Sequence, residues 1–347
     1  MSVFPLTKSI TLANYVRTLR AIGAPVDAGL RRARLPVLFE EIPNTWLPYK
    51  QQRMFIADMA DREGIPNLGL VALSPDPRQV LVPGFFDPVT NAPTLYQALV
   101  RLPSLTNRQT THLKNWIEMA GDDQVRFCLI LPLPLEVPGY ASHETRTLRL
   151  MEMVVRAYTG PDFMPTRVLL MSRARDLNFD LKSAYGNVPV MTDQPYGAIE
   201  FPRVLLSNTH TSADVSAAGF SASMSGQVPP ATFSKTLEAC LEPYLLDDYP
   251  NIELAAEIGG CSVRTLQRKL RKEQTTYSEI IDKVRCHAAL SKLQNTNITL
   301  DELSLKLGYS EQSAFTRAFR RWTGTTPNEY RLGTLKAQPG QTRSNLA

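Results

Sequence analysis

The sequence predicts two domains of different class, a mixed α+β domain followed by an all-α domain. Three observations carry this. Apolar runs of strand type, such as Gln124 to Leu131 (QVRFCLIL), are confined to the first two hundred or so residues, where they mix with helical patterns. The stretch Ser207 to Pro230 (SNTHTSADVSAAGFSASMSGQVPP) is rich in Ser, Ala, Gly and Pro and almost lacks large apolar side chains, the composition of a connection. Beyond it the punctuation is nearly all helical, and one helical pattern occurs twice. The predicted divisions are a first domain over 1–206, a linker over 207–230, a second domain over 231–336 and a disordered tail over 337–347.

In the first domain, Ile10 to Ala21 sets Leu12, Tyr15, Val16 and Leu19 at helical intervals. Pro48 to Arg62 places Met54, Phe55 and Met59 on one helical face, and Tyr96 to Arg101 and Thr111 to Met119 read as weaker helical segments. Gln124 to Leu131 is then a strand, the region Thr147 to Tyr158 a long apolar helix, and Arg167 to Ser172 and Ala198 to Phe201 further strands. The aromatic residues Trp46, Phe85, Phe86, Tyr96, Trp116 and Tyr140 supply apolar bulk, and Arg101, Arg126 and Arg156 are candidate carboxylate anchors. Core packing and surface solvation are the plainer readings, so no residue is singled out as contacting an effector.

Composition removes several function classes. The chain has 347 residues, 43% of them hydrophobic and 20% charged, which is enough apolar material for two cores. Its formal net charge of +5 agrees with a nucleic-acid partner without requiring one. Cys128, Cys240, Cys261 and Cys286 stand far apart with no C-x-x-C pair, and His112, His143, His210 and His287 form no metal-binding spacing. No disulfide framework, metal or cofactor is therefore expected. The start MSVFPLTKSI lacks a secretory pattern, and the most apolar stretch, Phe127 to Val137, is too short to span a bilayer and is broken by Pro132 and Pro134. A cytoplasmic protein without membrane contact is the expectation.

The repeated pattern is centred on two glycines. Leu254 to Ser262 (LAAEIGGCS) precedes VRTLQRKL, and Asp301 to Ser310 (DELSLKLGYS) precedes EQSAFTRAFRR. Ala256 and Ser304 are the small residues four before Gly260 and Gly308, and Ser262 and Ser310 stand two after them. A helix-turn-helix needs this grammar. A glycine in the left-handed conformation ends the first helix, a small residue lets the second cross closely, and a serine caps the second. Leu266, Arg268 and Leu270 then match Phe315, Arg317 and Phe319, with the second set one residue further from its serine. Between the motifs, Tyr277 to Leu293 reads as one stiff helix with Ile280, Ile281, Val284, Ala288 and Leu293 on one side. Two readers joined this way would meet successive major grooves about 34 Å apart. Two solvated basic faces of an ordinary bundle are the bland alternative, and the duplication of glycine, cap and arginine argues against it.

The segment Ala231 to Arg331 resembles the AraC/XylS family of bacterial regulators. Gly308-Tyr309-Ser310, Phe315, Phe319-Arg320-Arg321, Gly324, Thr326-Pro327 and Tyr330-Arg331 carry the likeness, and Ser304 departs from the family's usual alanine. Pro5 to Leu206 is similar, more loosely, to the ligand-binding domain of the subgroup that includes ornithine-utilisation regulators, through PTLYQAL, VRFCLILPLP and PTRVLL. The resemblance implies that Arg264, Gln267 and Arg268 face base edges from the first reading helix and Gln312, Ser313, Thr316 and Arg317 from the second. It places Ser262, Thr265, Arg271, Thr276, Ser310, Arg320, Arg321 and Thr325 nearer the DNA backbone. Thr265 has a plainer role in capping a turn, and Arg321 one in an ion pair with Glu302 or Glu329. Trp322 and Tyr330 read as core, Cys261 as a small turn filler rather than a redox switch, and Asp122-Asp123 and Asp247-Asp248 as solvated turns and caps.

What the resemblance implies is a transcription regulator, most simply an activator working beside RNA polymerase on double-stranded DNA. Its first domain would sense a small-molecule effector and pair two copies into a homodimer. A regulator that needs no effector is one alternative. An enzyme with a fused DNA-binding module is another, and the cysteine-rich zinc site and nucleophilic cysteine motif it needs do not occur.

Overall fold

The computed structural model describes residues 3–42, 44–73, 89, 91–177, 180–210, 229–247, 250–295 and 297–337. Phe85, Phe86, Asp248, most of the expected 207–230 connection and all but the first residue of the expected tail lie outside the described residues. The chain forms two compact units, one of Phe4–Pro230 and one that begins at Ala231.

The first unit opens with β1 (Leu6–Lys8), paired antiparallel with β2 (Trp46–Pro48). The helices α1 (Ser9–Ala21) and α2 (Val26–Arg32) lie between them in sequence, and α3 (Tyr49–Arg62) and α4 (Leu68–Val71) follow. Leu12, Tyr15, Val16, Leu19, Phe55 and Met59 bury into one core, as their helical spacing requires. Met54 does not join them. It is 41% exposed, because the buried stripe runs through Phe55, Ile56 and Met59 and the neighbouring position points away from it.

The helix α5 (Leu95–Gln109) extends well beyond the expected Tyr96 to Arg101, with Thr94 accepting from the Gln97 N–H at its start. The helical expectation for Thr111 to Met119 is overturned. Lys114–Met119 is β3, a hairpin strand on β4 (Gln124–Ile130) with Trp116 opposite Cys128. The residues of β3 are exposed or half-buried throughout, so no two-residue alternation of burial marked the strand, and its pairing with β4 decides its conformation. The helix α6 (Tyr140–Thr159), the strand β5 (Arg167–Leu169), the helix α7 (Leu181–Tyr185) and the strands β6 (Val190–Met191) and β7 (Gly197–Pro202) complete the elements. The sheet runs β3-β4-β7-β5-β6 and is antiparallel except between β5 and β6. Val125, Phe127 and Leu129 alternate toward Ile199 and Phe201, and share one core with Leu99 of α5 and with Leu148 and Val155 of α6. Packing continues past Leu206: the Asn208 carbonyl accepts from the Leu95 N–H at 3.0 Å, and its amide donates to the Tyr158 carbonyl at 3.3 Å.

The second unit is helical: α8 (Phe233–Leu241), α9 (Tyr244–Asp247), α10 (Ile252–Ile258), α11 (Val263–Lys272), α12 (Tyr277–Asn295), α13 (Leu300–Lys306), α14 (Gln312–Thr323) and α15 (Pro327–Ala337). The pairs α10–α11 and α13–α14 each pack together, and α12 packs against both α8 and α15. Its buried side is Ile280, Ile281, Val284, Ala289 and Leu293. Ala289 replaces the expected Ala288 because it stands one turn before Leu293 and shares its face.

Candidate nucleic-acid interface

Both turns between paired helices are built the same way. Gly260 has φ +61° and Gly308 +74°, the left-handed region that glycine enters without penalty. The Gly260 N–H donates to the Glu257 carbonyl and the Cys261 N–H to that of Ala256, each at 3.0 Å. At the second turn the Gly308 N–H donates to Leu305 and the Tyr309 N–H to Ser304, each at 2.9 Å. These bonds satisfy carbonyls that the ending helix leaves open, in the same offsets at both sites. Ala256 and Ser304, the small residues of the motif, are 3% and 1% exposed. The Ser304 hydroxyl donates to the Asp301 carbonyl at 2.8 Å, so its burial leaves no polar atom unpaired.

At the start of α11, Ser262 Oγ accepts from the Thr265 N–H at 3.3 Å, the expected N-cap. Leu266 and Leu270 turn inward at 0% and 1% exposure. Arg264, Gln267, Arg268 and Arg271 then fall at intervals of three and four, forming one exposed stripe. Lys269 stands off this stripe, its ammonium 4.3 Å from the centre of the Phe233 ring. Thr265 is half-buried and accepts from the Ser262 hydroxyl at 3.1 Å, the local capping role set beside its expected DNA role.

The second motif departs from the first in one respect. Ser310 does not cap α14; the helix begins at Gln312 with Glu311 in the N-cap position, and no side chain accepts there. The extra residue between Gly308 and the helix moves the serine out of register, the same displacement by which the Phe315–Phe319 stripe trails its serine. Phe315 and Phe319 are fully buried. Ser313, Thr316, Arg317 and Arg320 lie along the opposite side, with Thr316 half-buried and the others exposed. Two of these hydroxyls have local partners: Ser313 donates to Glu311 Oε2 at 3.1 Å and Thr316 to the Gln312 carbonyl at 2.9 Å. Gln312 is half-buried at the head of the helix, and Thr325 is exposed in the turn after it.

The expected backbone residues Arg321 and Thr276 have internal roles. Arg321 donates to Asp282 Oδ2 of α12 at 2.7 Å, in place of Glu302 or Glu329. Glu302 meets Lys306 at 3.4 Å instead, and Glu329 accepts from the Thr326 N–H at 2.8 Å. Thr276 and Glu279 exchange bonds of 3.3 and 3.0 Å in a capping box at the head of α12. Further bonds hold α12 to both motifs. Tyr277 donates to the Pro250 carbonyl just ahead of α10, Arg285 donates to the Gly308 carbonyl at 3.3 Å and covers the Tyr309 ring at 4.6 Å, and Gln294 donates to the Tyr330 hydroxyl at 2.6 Å. Asp282, Arg285 and Tyr277 carried no signal in the sequence, since they lie off the apolar side of a helix read only for that side.

Electrostatics follow from these contacts. The Glu273 carboxylate accepts from the N–H groups of Phe233 and Ser234 at 3.1 and 2.8 Å; burial opposes its charge, and these bonds nonetheless hold its pKa below the ordinary 4.5. Burial raises the pKa of the Cys261 thiol, which is the opposite of a reactive thiolate. Tyr330 packs edge-on to Phe319 at 5.7 Å, and Tyr309 lies 6.5 Å from Trp322 and 5.8 Å from Phe315, so these aromatics serve the core. Among the described residues no group of three or more His, Cys, Asp and Glu is placed to hold a metal ion, and no helix is long and apolar enough to cross a membrane.

Comparison with known proteins meets this geometry at the same segment. Residues 255–333 match the helix-turn-helix domain family. The HTH-type transcriptional regulator VqsM of Pseudomonas aeruginosa is 42% identical over 85 residues, 24% of this chain and 26% of that protein. The ornithine utilization regulator of the same organism is 44% identical over 84 residues, 24% of this chain and 25% of that protein. The chain therefore spans about a quarter of the length of these relatives. The transcriptional regulator CdpR from Pseudomonas aeruginosa aligns over 89% of this chain and 96% of its own at 23% identity, with a TM-score of 0.37. The helices that bear the two stripes thus lie in the segment that matches a helix-turn-helix domain. The likeness to these HTH-type transcriptional regulators is confined to that domain.

Proposed function

We propose that the chain is a sequence-specific transcription regulator that reads two successive major grooves of double-stranded DNA with α11 and α14. The observation that carries the reading is the pair of stripes, Arg264, Gln267, Arg268 and Arg271 on one helix and Ser313, the half-buried Thr316, Arg317 and Arg320 on the other, each set behind the same glycine turn. Arginine suits guanine, glutamine adenine, and serine or threonine either base. Ser262, Ser310 and Thr325 fall at the ends of the reading helices and are assigned to phosphates, with Thr276 and Arg321 kept as secondary backbone contacts. The spacer α12, 19 residues and so about 28 Å long, is of the right order to set the two readers one helical turn of DNA apart.

In the same proposal the first domain senses a small molecule and pairs two copies of the chain. The regulator then acts in the cytoplasm, activating transcription beside RNA polymerase. Selection from a random DNA library by the full-length protein, at stated salt, tests the core of it. Two short conserved blocks about one helical turn apart support two readers. Retention that recovers no motif and simply falls with salt would reduce the interaction to phosphate attraction.

A further inference from the structure

The first unit buries two arginines that no carboxylate among the described residues meets. Arg53 of α3 is 2% exposed and Arg146 of α6 is 1% exposed. Among the described residues, all three guanidinium nitrogens of Arg53 lack a hydrogen-bond partner, as do Nε and Nη2 of Arg146. Arg146 Nη1 alone is engaged, donating to the Gly69 carbonyl at 3.2 Å. The two groups converge on one ring: their central carbons stand 5.7 and 4.7 Å from the centre of Tyr15. Arg53 also lies 5.3 Å from the Tyr49 ring, which meets the His143 ring edge-on at 5.3 Å.

The polar atoms around them are equally unspent. Among the described residues, both His143 nitrogens, the Gln52 amide and the Tyr15 and Tyr49 hydroxyls lack partners. Burial first, then the charges of Arg53 and Arg146, push the His143 pKa far down, so the imidazole is neutral and adds no third cation. The buried acids of α6 are committed elsewhere. Glu144 accepts from Met171 N–H at 2.6 Å and from Ser172 N–H and Oγ at 3.0 and 2.6 Å, and Glu152 pairs with Arg149 and Arg156 at 2.5 and 3.6 Å. Tyrosine faces offset part of the cost of burying a guanidinium, but they accept none of its forked hydrogen bonds.

Arg146 and His143 also line a pocket of about 90 Å3 whose other walls mix apolar side chains such as Leu102, Phe127 and Met151 with polar ones such as Thr106 and Asn115. A deeply buried guanidinium with unpaired donors in the wall of a partly apolar cavity, and a second one beside it, is matched by an anion that brings its own hydrocarbon. We infer that this pocket binds a small organic carboxylate, its two oxygens on the Arg146 guanidinium with Arg53 close by, and its carbon body against the apolar walls. Phosphate or sulfate fits less well, because neither has an apolar part to place there. The inference rests on the reading of this domain as a sensor and names the chemistry of what it senses. The anchors considered from sequence are otherwise placed: Arg126 meets Glu200 at 2.9 Å, Arg156 donates to the Phe163 carbonyl at 3.2 Å, and Arg101 is exposed.

The test is calorimetric titration of the purified full-length protein with acetate, butyrate, hexanoate, octanoate and benzoate, each beside the alcohol of the same skeleton. Saturable one-to-one binding of a carboxylate is expected, about ten- to a hundredfold tighter than its alcohol, the worth of a hydrogen bond to a charged group. Arg146→Met should lose the same factor. If that variant does not fold, Arg53→Met and the acid–alcohol comparison on the unaltered protein decide the matter. No binding by any of the five acids overturns the inference, as does equal binding of acid and alcohol, unchanged binding by Arg146→Met, or saturation by sulfate alone. Library selection of DNA on the same preparation separates the two failures. A recovered DNA motif without carboxylate binding ends the pocket assignment only, whereas absence of any motif ends the regulator reading whatever the calorimeter shows.

Discussion

Arg321 of α14 and Asp282 of α12 form an ion pair of 2.7 Å, tying the second helix of the second motif to the spacer through a side chain whose sequence context points to DNA. The Arg321 side chain stays 65% exposed, so the pair orients the helix without withdrawing the charge from solvent. Removing either partner is expected to cost no more than about 1 kcal/mol, with a coupling of about 0.2–1 kcal/mol in a double-mutant cycle of Arg321→Ala and Asp282→Ala. Urea unfolding of the four proteins measures it. A coupling near zero would make the contact incidental.

Arg268 and Arg317 are the residues expected to read bases. Changing either to alanine should cost about 1–3 kcal/mol on the selected site and relax base preference at one position. Competition binding with singly substituted sites checks this. A uniform loss across all sequences would reassign the arginine to a phosphate.

The two serines behind the glycines should behave differently. Ser262→Ala removes a side-chain acceptor from the head of α11 and should destabilise by about 0.5–2 kcal/mol. Ser310→Ala removes no cap, since Glu311 holds that position in α14, and should stay within about 0.5 kcal/mol. Denaturant midpoints at constant slope distinguish the cases, and equal losses would contradict the caps described.

Gly260 sits at φ +61° with open space where a Cβ would be placed. Gly260→Ala should therefore cost about 1–2 kcal/mol through backbone conformation alone, without a steric clash. Thermal unfolding of the variant tests it, and a neutral result would mean that the turn relaxes.

Glu273 supplies a pH dependence. Its folded-state pKa lies below the ordinary 4.5, so its contribution to stability is complete above that value and disappears as the pH falls through the folded pKa. Glu273→Gln should flatten this part of the acid-unfolding profile and leave the profile above pH 6 parallel to that of the unaltered protein. An acid limb unchanged in the variant would assign the dependence to other carboxylates.

The helix-turn-helix pair was legible because its constraints are local. The left-handed glycines, the small residues at the crossings and the apolar stripes all act within ten residues, and each appears as a residue type at a fixed offset. Ser310 misled because one inserted residue changes a cap while leaving the pattern looking intact. The strand β3 was illegible for the opposite reason, since its conformation is set by the partner β4 and its half-buried side chains show no alternation. Arg53 and Arg146 stayed hidden among ordinary charged residues. Their burial is a property of how α1, α3 and α6 meet, and no interval along the chain records that meeting.

Under the proposed function, the unbroken course of α12 restricts the operators that the protein can bind. A spacer that is one helix, bonded to both motifs, leaves the readers little freedom to swivel about each other. Inserting about five base pairs between the two recognised blocks would carry the second block roughly half a turn around the duplex, and inserting about ten would restore its face but lengthen the reach by about 34 Å. Neither operator should be bound as a single site. If the two helices read DNA as proposed, the spacing between blocks is as much a part of the recognised message as the bases themselves, written in the length of one helix.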